Sequence, residues 1–209
     1  MFVKFCGFTR PKDVEAACNL GVSACGFIFY TGSPRFCNFT TAKECIAICD
    51  NHGVMSVGVF IDNSPTAVAS IAKTLGLAAL QVYSEDLYVE LSPNFTIFFG
   101  MRVSKNFSIE VVPVINKKDY YLFDTFDSSQ LGGTGKQFDW GSVASFSYLN
   151  RTIISGGINI HNVQKLCATL KPFGIDVASG IEDSPGIKNI SKMKQLIKTI
   201  KECGHDISR

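Results

Sequence analysis

The sequence predicts an α/β fold, because short apolar runs alternate with amphipathic helical segments along nearly all of its 209 residues. Eight strand-like runs alternate with about eight helical segments, and this length suits a compact barrel. A doubly wound open sheet is the competing arrangement, but no Gly-x-Gly-x-x-Gly motif opens the first helix. We therefore predict a single-domain (β/α)8 barrel, the TIM-barrel architecture, over residues 1–209.

The predicted strands are continuous apolar or β-branched runs, as expected for strands that helices cover on both faces. They span residues 3–6, 24–30, 56–62, 78–83, 96–103, 120–125, 152–155 and 175–178. The first run ends at Cys6-Gly7 and so places Cys6 at the carboxyl end of a strand, where strand–helix folds collect their chemistry. On this stretch alone, Cys6 is more simply interpreted as a small buried apolar residue.

Start signals mark the first three helices. Pro11 opens the first helix, and Ser64-Pro65 caps the third. Thr41 and Glu44 have the spacing of a capping box, which predicts that the second helix begins there.

The later helices are less regular. Residues 85–91 can form only a short fourth helix, and Pro113 interrupts the segment 108–116 that would form the fifth. The last two helices have clear apolar faces, made of Val163, Leu166, Cys167 and Leu170 and of Met193, Leu196, Ile197 and Ile200.

Composition limits the classes of function. Hydrophobic residues make up 46% of the chain and charged residues 18%, with a net charge of +2, which is typical of a globular protein. There is no basic run, so we expect no nucleic-acid partner. No apolar run approaches the ~20 residues that span a bilayer, so we expect no membrane partner. The N-terminus does not have the pattern of a signal peptide.

The eight cysteines include no C-x-x-C pair. Cys45 and Cys49 are the closest pair, one helical turn apart and with no histidine nearby. This spacing predicts thiols in a reducing cytoplasm and no metal site.

Glycine-containing segments follow the last three predicted strands: residues 132–135 (GGTG), 155–157 (SGG) and 178–180 (ASG). Glycines leave backbone N–H groups bare, and a helix N-terminus beside them favours an anion. The loops after strands 7 and 8 form the usual phosphate site of such barrels. One Gly-Gly pair would be ordinary turn chemistry, but glycines at two consecutive strand ends favour a phosphate cradle.

Three charged side chains are candidates for chemistry. Asp124 ends strand 6 within an apolar run, so its carboxylate must face the barrel mouth or find a partner. Capping of the following loop explains Asp124 about equally well, and Asp176 in strand 8 is similar. Arg35 follows a proline in the loop after strand 2 and could hold a carboxylate by two hydrogen bonds. A solvated loop arginine is the simpler interpretation of Arg35.

Taken together, these motifs resemble the phosphoribosylanthranilate isomerase family, the barrel isomerases of tryptophan biosynthesis, a branch of aromatic amino acid biosynthesis. The resemblance runs nearly end to end, and its motifs stand in order at successive strand ends. They are VKFCGFT (3–9), GFIFY with SPR (26–30, 33–35), VGVF (57–60), the glutamine of QVYS (81–84), FDT with GGTG and FDW (123–125, 132–135, 138–140), SGGI (155–158), and DVASGIE with PG (176–182, 185–186).

The resemblance implies an Amadori rearrangement of N-(5-phosphoribosyl)anthranilate that needs no cofactor. It implies that Asp124 is the general acid and Cys6 the general base. Arg35 would hold the anthranilate carboxylate, Asp176 would contact the substrate near its amino group, and Gln81 would also bind it. The glycine loops would hold the phosphate through Gly133, Gly135, Gly156, Gly157, Ala178, Ser179 and Gly180. The partner would be a small phosphorylated molecule, and the chain a monomer or homodimer.

The proposed chemistry sets two requirements on the site. A thiol has an ordinary pKa of ~8.5, so the surroundings of Cys6 must favour its thiolate, and the protonated Schiff base of the substrate would help. Asp124 must start protonated, so burial should raise its pKa.

The chain departs from the family pattern at the end of strand 4, where Tyr83-Ser84 stand in place of the usual His-Gly. Ala178 replaces a common serine, Phe5 and Phe8 replace smaller aliphatics, and the fifth helix is eroded. We expect a working enzyme. One alternative is a catalytically weak or inactive phosphate-binding barrel that serves as a ligand-binding or partner-binding module. Another is a barrel isomerase of the histidine pathway, but that chemistry is expected to use an aspartate at the first strand end, where this chain has Cys6.

Overall fold

The structure is a computed structural model that describes residues 1–104, 106–125 and 137–208. Eight parallel strands follow one another around a closed barrel, and the last pairs with the first. They are β1 (Phe2–Cys6), β2 (Ala24–Ile28), β3 (Met55–Val59), β4 (Ala79–Val82), β5 (Ile97–Val103), β6 (Tyr120–Thr125), β7 (Thr152–Ile154) and β8 (Gly174–Val177). The predicted (β/α)8 barrel is confirmed, whereas the extent of one domain over residues 1–209 stays a prediction.

Six α-helices lie in the described residues. In the described ranges they are α1 (Pro11–Asn19), α2 (Phe39–His52), α3 (Pro65–Leu75), α4 (Glu85–Leu91), α5 (Val163–Thr169) and α6 (Ile190–Glu202). The fifth helix predicted over residues 108–116 does not form, whereas the count of about eight helices also covers residues outside the described ranges and stays a prediction. Among the described residues between β5 and β6, the one helical element is a 3-10 turn, Ile109–Val111, because Pro113 prevents a longer helix. A two-stranded hairpin, β9 (Glu182–Ser184) with β10 (Ile187–Lys188), lies between β8 and α6.

The start of α2 also corrects the sequence analysis. The cap is Asn38, whose backbone is extended and whose side chain accepts a hydrogen bond from the Thr41 N–H at 3.0 Å. Thr41 therefore lies inside the first turn, and the capping box predicted at Thr41 and Glu44 is wrong. The cap of α3 is as predicted, since the Ser64 hydroxyl accepts from the Ala67 N–H at 3.3 Å.

The barrel interior changes character along its axis. One end is filled by apolar side chains that point inward from seven strands: Phe2, Ala24, Val57, Ala79, Phe98, Leu122 and Ile153. Because successive side chains of a strand alternate between faces, the next inward positions toward the carboxyl ends are two residues further on. These include Lys4, Gly26, Gln81, Gly100 and Asp124. The interior is therefore sealed at the amino end and polar at the carboxyl end.

The larger core lies between the strands and the helices. All eight cysteines fall within the described ranges, and none forms a disulfide. Among the described residues, none of the helices combines the length and the apolar character needed to cross a membrane.

Candidate active site

One cavity opens at the carboxyl ends of the strands and gathers most of the residues that the sequence singled out. It is lined by Cys6, Arg35, Gln81, Asp124, Gly156, Gly157, Asp176, Ala178 and Ser179, together with Tyr83, Thr125 and Ser155. The thiol at the end of β1 and the carboxyl group at the end of β6 thus face the same space.

One of the predicted phosphate-binding glycines, Gly180, is not among the described residues that line the cavity. Gly133 and Gly135 lie outside the described residues. Gly180 stands in the 3-10 turn after β8, and a Cβ atom there would be 2.0 Å from the carbonyl oxygen of Ile158. Gly180 is therefore needed for the close approach of the loops that follow β7 and β8.

The loop after β7 has a backbone that favours glycine. Gly156 and Gly157 have φ angles of +85° and +67°, in the region that L side chains rarely adopt. A Cβ atom on Gly156 would also lie 2.0 Å from the Thr125 hydroxyl oxygen. With Ser179 at the start of the neighbouring 3-10 turn, this loop presents backbone to the cavity, as an anion cradle requires.

Lys4 is a site residue that the sequence analysis missed. Its side chain is fully buried, and its ammonium group donates to Oε1 of Gln81 at 2.9 Å and to Oδ2 of Asp176 at 3.0 Å. Burial lowers the pKa of Lys4, but Asp176 and Cys6 raise it, and the balance is a raised pKa that keeps the ammonium charged. The signal was present in the sequence, because Lys4 stands two residues before Cys6 and so shares its inward face.

The Cys6 thiol lies beside Lys4 in a space left by Gly26 of β2. A Cβ atom on Gly26 would be 2.6 Å from Sγ of Cys6 and 3.1 Å from Nζ of Lys4. Burial raises the pKa of Cys6 and the Lys4 charge opposes this, with a net rise. Burial thus outweighs Lys4 in the protein by itself, so the thiolate depends on the further positive charge that the substrate's protonated Schiff base is expected to supply.

The carboxyl group of Asp124 is suited to hold a proton. Burial, and then the charge of Asp176, raise its pKa to about 6, in the direction expected of an acid. Its Oδ1 accepts from the Thr125 N–H at 2.9 Å. Its Oδ2 faces the Tyr83 hydroxyl at 3.5 Å.

Two buried polar atoms at the cavity have no hydrogen-bond partner within the described ranges. They are Oδ1 of Asp176 and the hydroxyl oxygen of Thr125. Buried polar groups are normally hydrogen-bonded, so unsatisfied atoms in a cavity indicate a polar ligand.

Arg35 holds a carboxylate, but one from the protein itself. Its Nε and Nη2 donate to the two oxygens of Glu182 at 3.1 and 2.7 Å, in a buried pair. Glu182 also accepts from Lys188 Nζ at 2.7 Å, and Lys188 donates to the carbonyl oxygen of Cys6. Any substrate carboxylate held by Arg35 must share this guanidinium with Glu182.

A group of three cysteines is the one place in the described residues where His, Cys, Asp or Glu side chains cluster as metal ligands would. The sulfurs of Cys18, Cys25 and Cys49 lie within 4.8 Å of one another, all buried. Burial raises the pKa of Cys25, and hydrogen bonding with Cys18 raises that of Cys49. Buried, protonated thiols such as Cys25 and Cys49 pack as small apolar side chains.

An eight-stranded barrel that brings a thiol, a carboxyl group with a raised pKa and a glycine loop to one cavity at its carboxyl end has the features of a barrel enzyme that transfers protons on a phosphorylated substrate. The family model of N-(5'-phosphoribosyl)anthranilate (PRA) isomerase matches residues 3–199. An N-(5'-phosphoribosyl)anthranilate isomerase from Bacillus mycoides (strain KBAB4) is 36% identical over 206 residues, covering 97% of this chain and 99% of the relative. The chain belongs to the N-(5'-phosphoribosyl)anthranilate isomerase family.

Solved structures agree with this assignment. The phosphoribosyl anthranilate isomerase from Thermus thermophilus superposes with a TM-score of 0.83 at 27% identity, over 97% of this chain and 99% of that one. A phosphoribosyl anthranilate isomerase in complex with reduced 1-(o-carboxyphenylamino)-1-deoxyribulose 5-phosphate gives a TM-score of 0.79 at 26% identity, with coverage of 97% and 99%. These matches support an isomerase of tryptophan biosynthesis.

Proposed function

We propose that this chain converts N-(5-phosphoribosyl)anthranilate to 1-(2-carboxyphenylamino)-1-deoxyribulose 5-phosphate, with Asp124 as general acid and Cys6 as general base. The observation that carries these roles is that both side chains line one cavity at the carboxyl end of the barrel. The substrate class is supported by the related isomerase whose ligand is a reduced form of this product.

Asp124 would act in the first step. With a pKa of about 6, a fraction of roughly a tenth is protonated at pH 7. Asp124 gives its proton to the furanose ring oxygen while the bond from that oxygen to C1 breaks. The lone pair of the anthranilate nitrogen forms the C1–N double bond, which leaves a protonated Schiff base.

Cys6 would act in the second step. The positive Schiff base adds to the charge of Lys4 and favours the thiolate against burial. The thiolate removes the C2 proton, and the electrons of that C–H bond move toward the imine nitrogen to give an enolamine. The enolamine then tautomerises to the ketone, so the substrate's own imine is the electron sink and no cofactor is used.

The remaining lining groups would bind the substrate. The unsatisfied Oδ1 of Asp176 suits a contact to the substrate amino group. Backbone of Gly156, Gly157, Ala178 and Ser179 suits the phosphate. Arg35 would hold the anthranilate carboxylate while it keeps its ion pair with Glu182. Gln81 has its amide engaged by Lys4 and Tyr83, so it would act mainly by orienting Lys4.

The test is turnover of freshly generated substrate by Cys6→Ser and Asp124→Asn, two variants of similar size to the natural residues. We expect each to lower kcat by at least about 100-fold, since acid–base groups contribute 10²–10⁴-fold. Matched controls are Cys203→Ser and Asp50→Asn, because neither position lines the cavity.

Two outcomes would contradict the proposal. Near-normal turnover by either site variant would remove the role given to that residue. If the unaltered chain bound the reduced product but gave no turnover, the alternative of an inactive phosphate-binding barrel would replace the enzyme. Whether the chain is a monomer or a homodimer stays a prediction.

A further inference from the structure

We propose that Tyr83 is a positioning residue for the acid Asp124, and that Gly100 and Arg102 of β5 place its ring so that the hydroxyl reaches that carboxyl group. The inference rests on the acid role proposed for Asp124. It assigns a purpose to the position where this chain departs from the family pattern.

The geometry depends on a gap in the intervening strand. Tyr83 follows β4 and Asp124 lies one residue before the end of β6, so β5 separates them in the barrel wall. Gly100 of β5 has no side chain on the inner face, and the Tyr83 ring occupies that space. A Cβ atom on Gly100 would lie 2.5 Å from Cε1 and 2.6 Å from Cδ1 of the ring. No side chain larger than hydrogen fits there while the ring stays in place.

Arg102 holds the ring from the neighbouring inward position. Its guanidinium carbon lies 5.2 Å from the centre of the Tyr83 ring, within the range of a cation–π contact. Arg102 is also the register partner of Asp124 on β6. The ring therefore lies over Gly100 and under Arg102, beside the strand that carries the acid.

The direction of each hydrogen bond aims the Tyr83 proton at Asp124. Lys4 donates to Oε1 of Gln81, which leaves the amide nitrogen of Gln81 to donate to the Tyr83 oxygen at 2.6 Å. The Tyr83 oxygen thus accepts one hydrogen bond and has its own proton to donate. The acceptor that it faces is Oδ2 of Asp124.

The contact from Tyr83 to Asp124 is long at 3.5 Å, compared with ~2.7–2.8 Å for most O–H···O bonds. Catalytic hydrogen bonds are often long without ligand and shorten in the complex. Burial raises the pKa of Tyr83 well above its usual value, so the phenol stays protonated and remains a donor. A donor at this position stabilises the carboxylate that remains once Asp124 has released its proton.

A second cavity explains why the ring needs these supports. Ile61 and Tyr83 line both the active-site cavity and a neighbouring cavity of about 460 Å³, which also touches Phe99, Val111 and Pro113. This neighbouring cavity lies beside the 3-10 turn that replaces the fifth helix. The Tyr83 ring therefore separates the two cavities, so its position depends on its direct contacts with Gly100, Arg102 and Gln81.

The first experiment is Tyr83→Phe, which keeps the ring and removes the hydroxyl. We expect kcat to fall by about 10-fold or more, the effect of one hydrogen bond to a charged group, with a KM change below about threefold.

The pH profile of kcat for Tyr83→Phe gives a second measurement. Asp124 must be protonated to act, so kcat falls as pH rises through its pKa. Loss of a donor to the carboxylate raises the pKa of Asp124, so the fall of kcat at high pH (the basic limb of the pH profile) should occur at a higher pH.

The second experiment combines this change with Gly100→Ala. A methyl group at position 100 displaces the ring, so we expect Gly100→Ala to lower kcat and to move the same limb. In the Tyr83→Phe background no hydroxyl is left to displace, so Gly100→Ala should change kcat by less than about twofold. Gly76→Ala is the control for lost stability, because its φ of +69° strains an alanine backbone, whereas its added Cβ would contact nothing within 4 Å and position 76 does not line the cavity.

The outcomes separate this inference from the proposed function. If Asp124→Asn is inactive but Tyr83→Phe keeps the natural kcat and pH limb, the positioning role is overturned and the acid role stands. If Asp124→Asn keeps full activity, the acid role fails first. Equal losses from Gly100→Ala in both backgrounds would show that Gly100 does not act through Tyr83.

Discussion

The side chain of Lys4 carries a charge into the barrel interior, where Asp176 and Gln81 surround its ammonium group. Its pair with Asp176 is buried on both sides, with side-chain exposures of 0% and 5%. Removal of one partner of such a pair leaves the other charge without compensation. Lys4 therefore serves both the stability of the fold and the charge balance near Cys6.

We expect Lys4→Met to lower the free energy of unfolding by about 3–5 kcal/mol, the usual effect of breaking a buried ion pair. Urea denaturation followed by circular dichroism measures this change. Lys198→Met is the matched control, because its pair with Glu202 is exposed and spans 3.6 Å; it should change stability by no more than about 0.5 kcal/mol. Equal effects at the two positions would contradict the importance given to the buried pair.

Asp124 should make stability depend on pH in a recognisable direction. Its pKa is raised from 3.8 to about 6 on folding, so between these values the folded state binds more protons than the unfolded state. The stability that it contributes is present below about pH 4 and is lost as pH rises through about 6.

We therefore expect Asp124→Asn to stabilise the protein at pH 7.5 by about 1–3 kcal/mol, and by less at pH 5. The gain would come from removal of a buried carboxylate whose charge serves catalysis. Urea midpoints at the two pH values measure it, with Asp50→Asn as the exposed control. A gain that grows as the pH falls would contradict the raised pKa.

At the scale of elements, the start of α2 distinguishes the sequence pattern from the observed cap. We expect Asn38→Ala to cost about 1 kcal/mol, since it removes the acceptor for the Thr41 N–H. Thr41→Ala should have a smaller effect, because its hydroxyl does not cap the helix. Thermal or urea unfolding of the two variants compares them directly, and the reverse order would restore the capping box at Thr41.

The same element shows why the strands were easier to predict than the helix starts. Strands covered on both faces are mostly apolar, so runs such as residues 24–28 mark β2 directly. A helix start depends on which of several nearby polar residues turns its side chain back to the backbone. Asn38 and Thr41 both carry suitable oxygens, and the sequence alone does not rank them.

At the scale of the whole molecule, the residues at the strand ends could be predicted, but the ion pairs between side chains from distant parts of the chain could not. The alternation of inward and outward side chains places Cys6, Asp124 and Asp176 at one end of the barrel once eight strands are recognised. The partners of the buried charges come from distant parts of the chain. Lys4 and Asp176 are 172 residues apart, and Arg35 and Glu182 are 147 apart. No local pattern connects such residues. The spacing of Lys4 from Cys6 indicates its inward face but not its partner Asp176, and without Glu182 in view Arg35 appeared available.

Gly26, which has no side chain at its inward position in β2, shows how the activity of such a site can be lost in evolution. One methyl group at that position would intrude on both the sulfur of Cys6 and the ammonium of Lys4. The reaction therefore depends on Gly26, a residue that takes no part in the chemistry. A homologue that keeps Cys6, Lys4 and Asp124 but replaces this glycine would therefore lose activity, although none of its reactive side chains has changed.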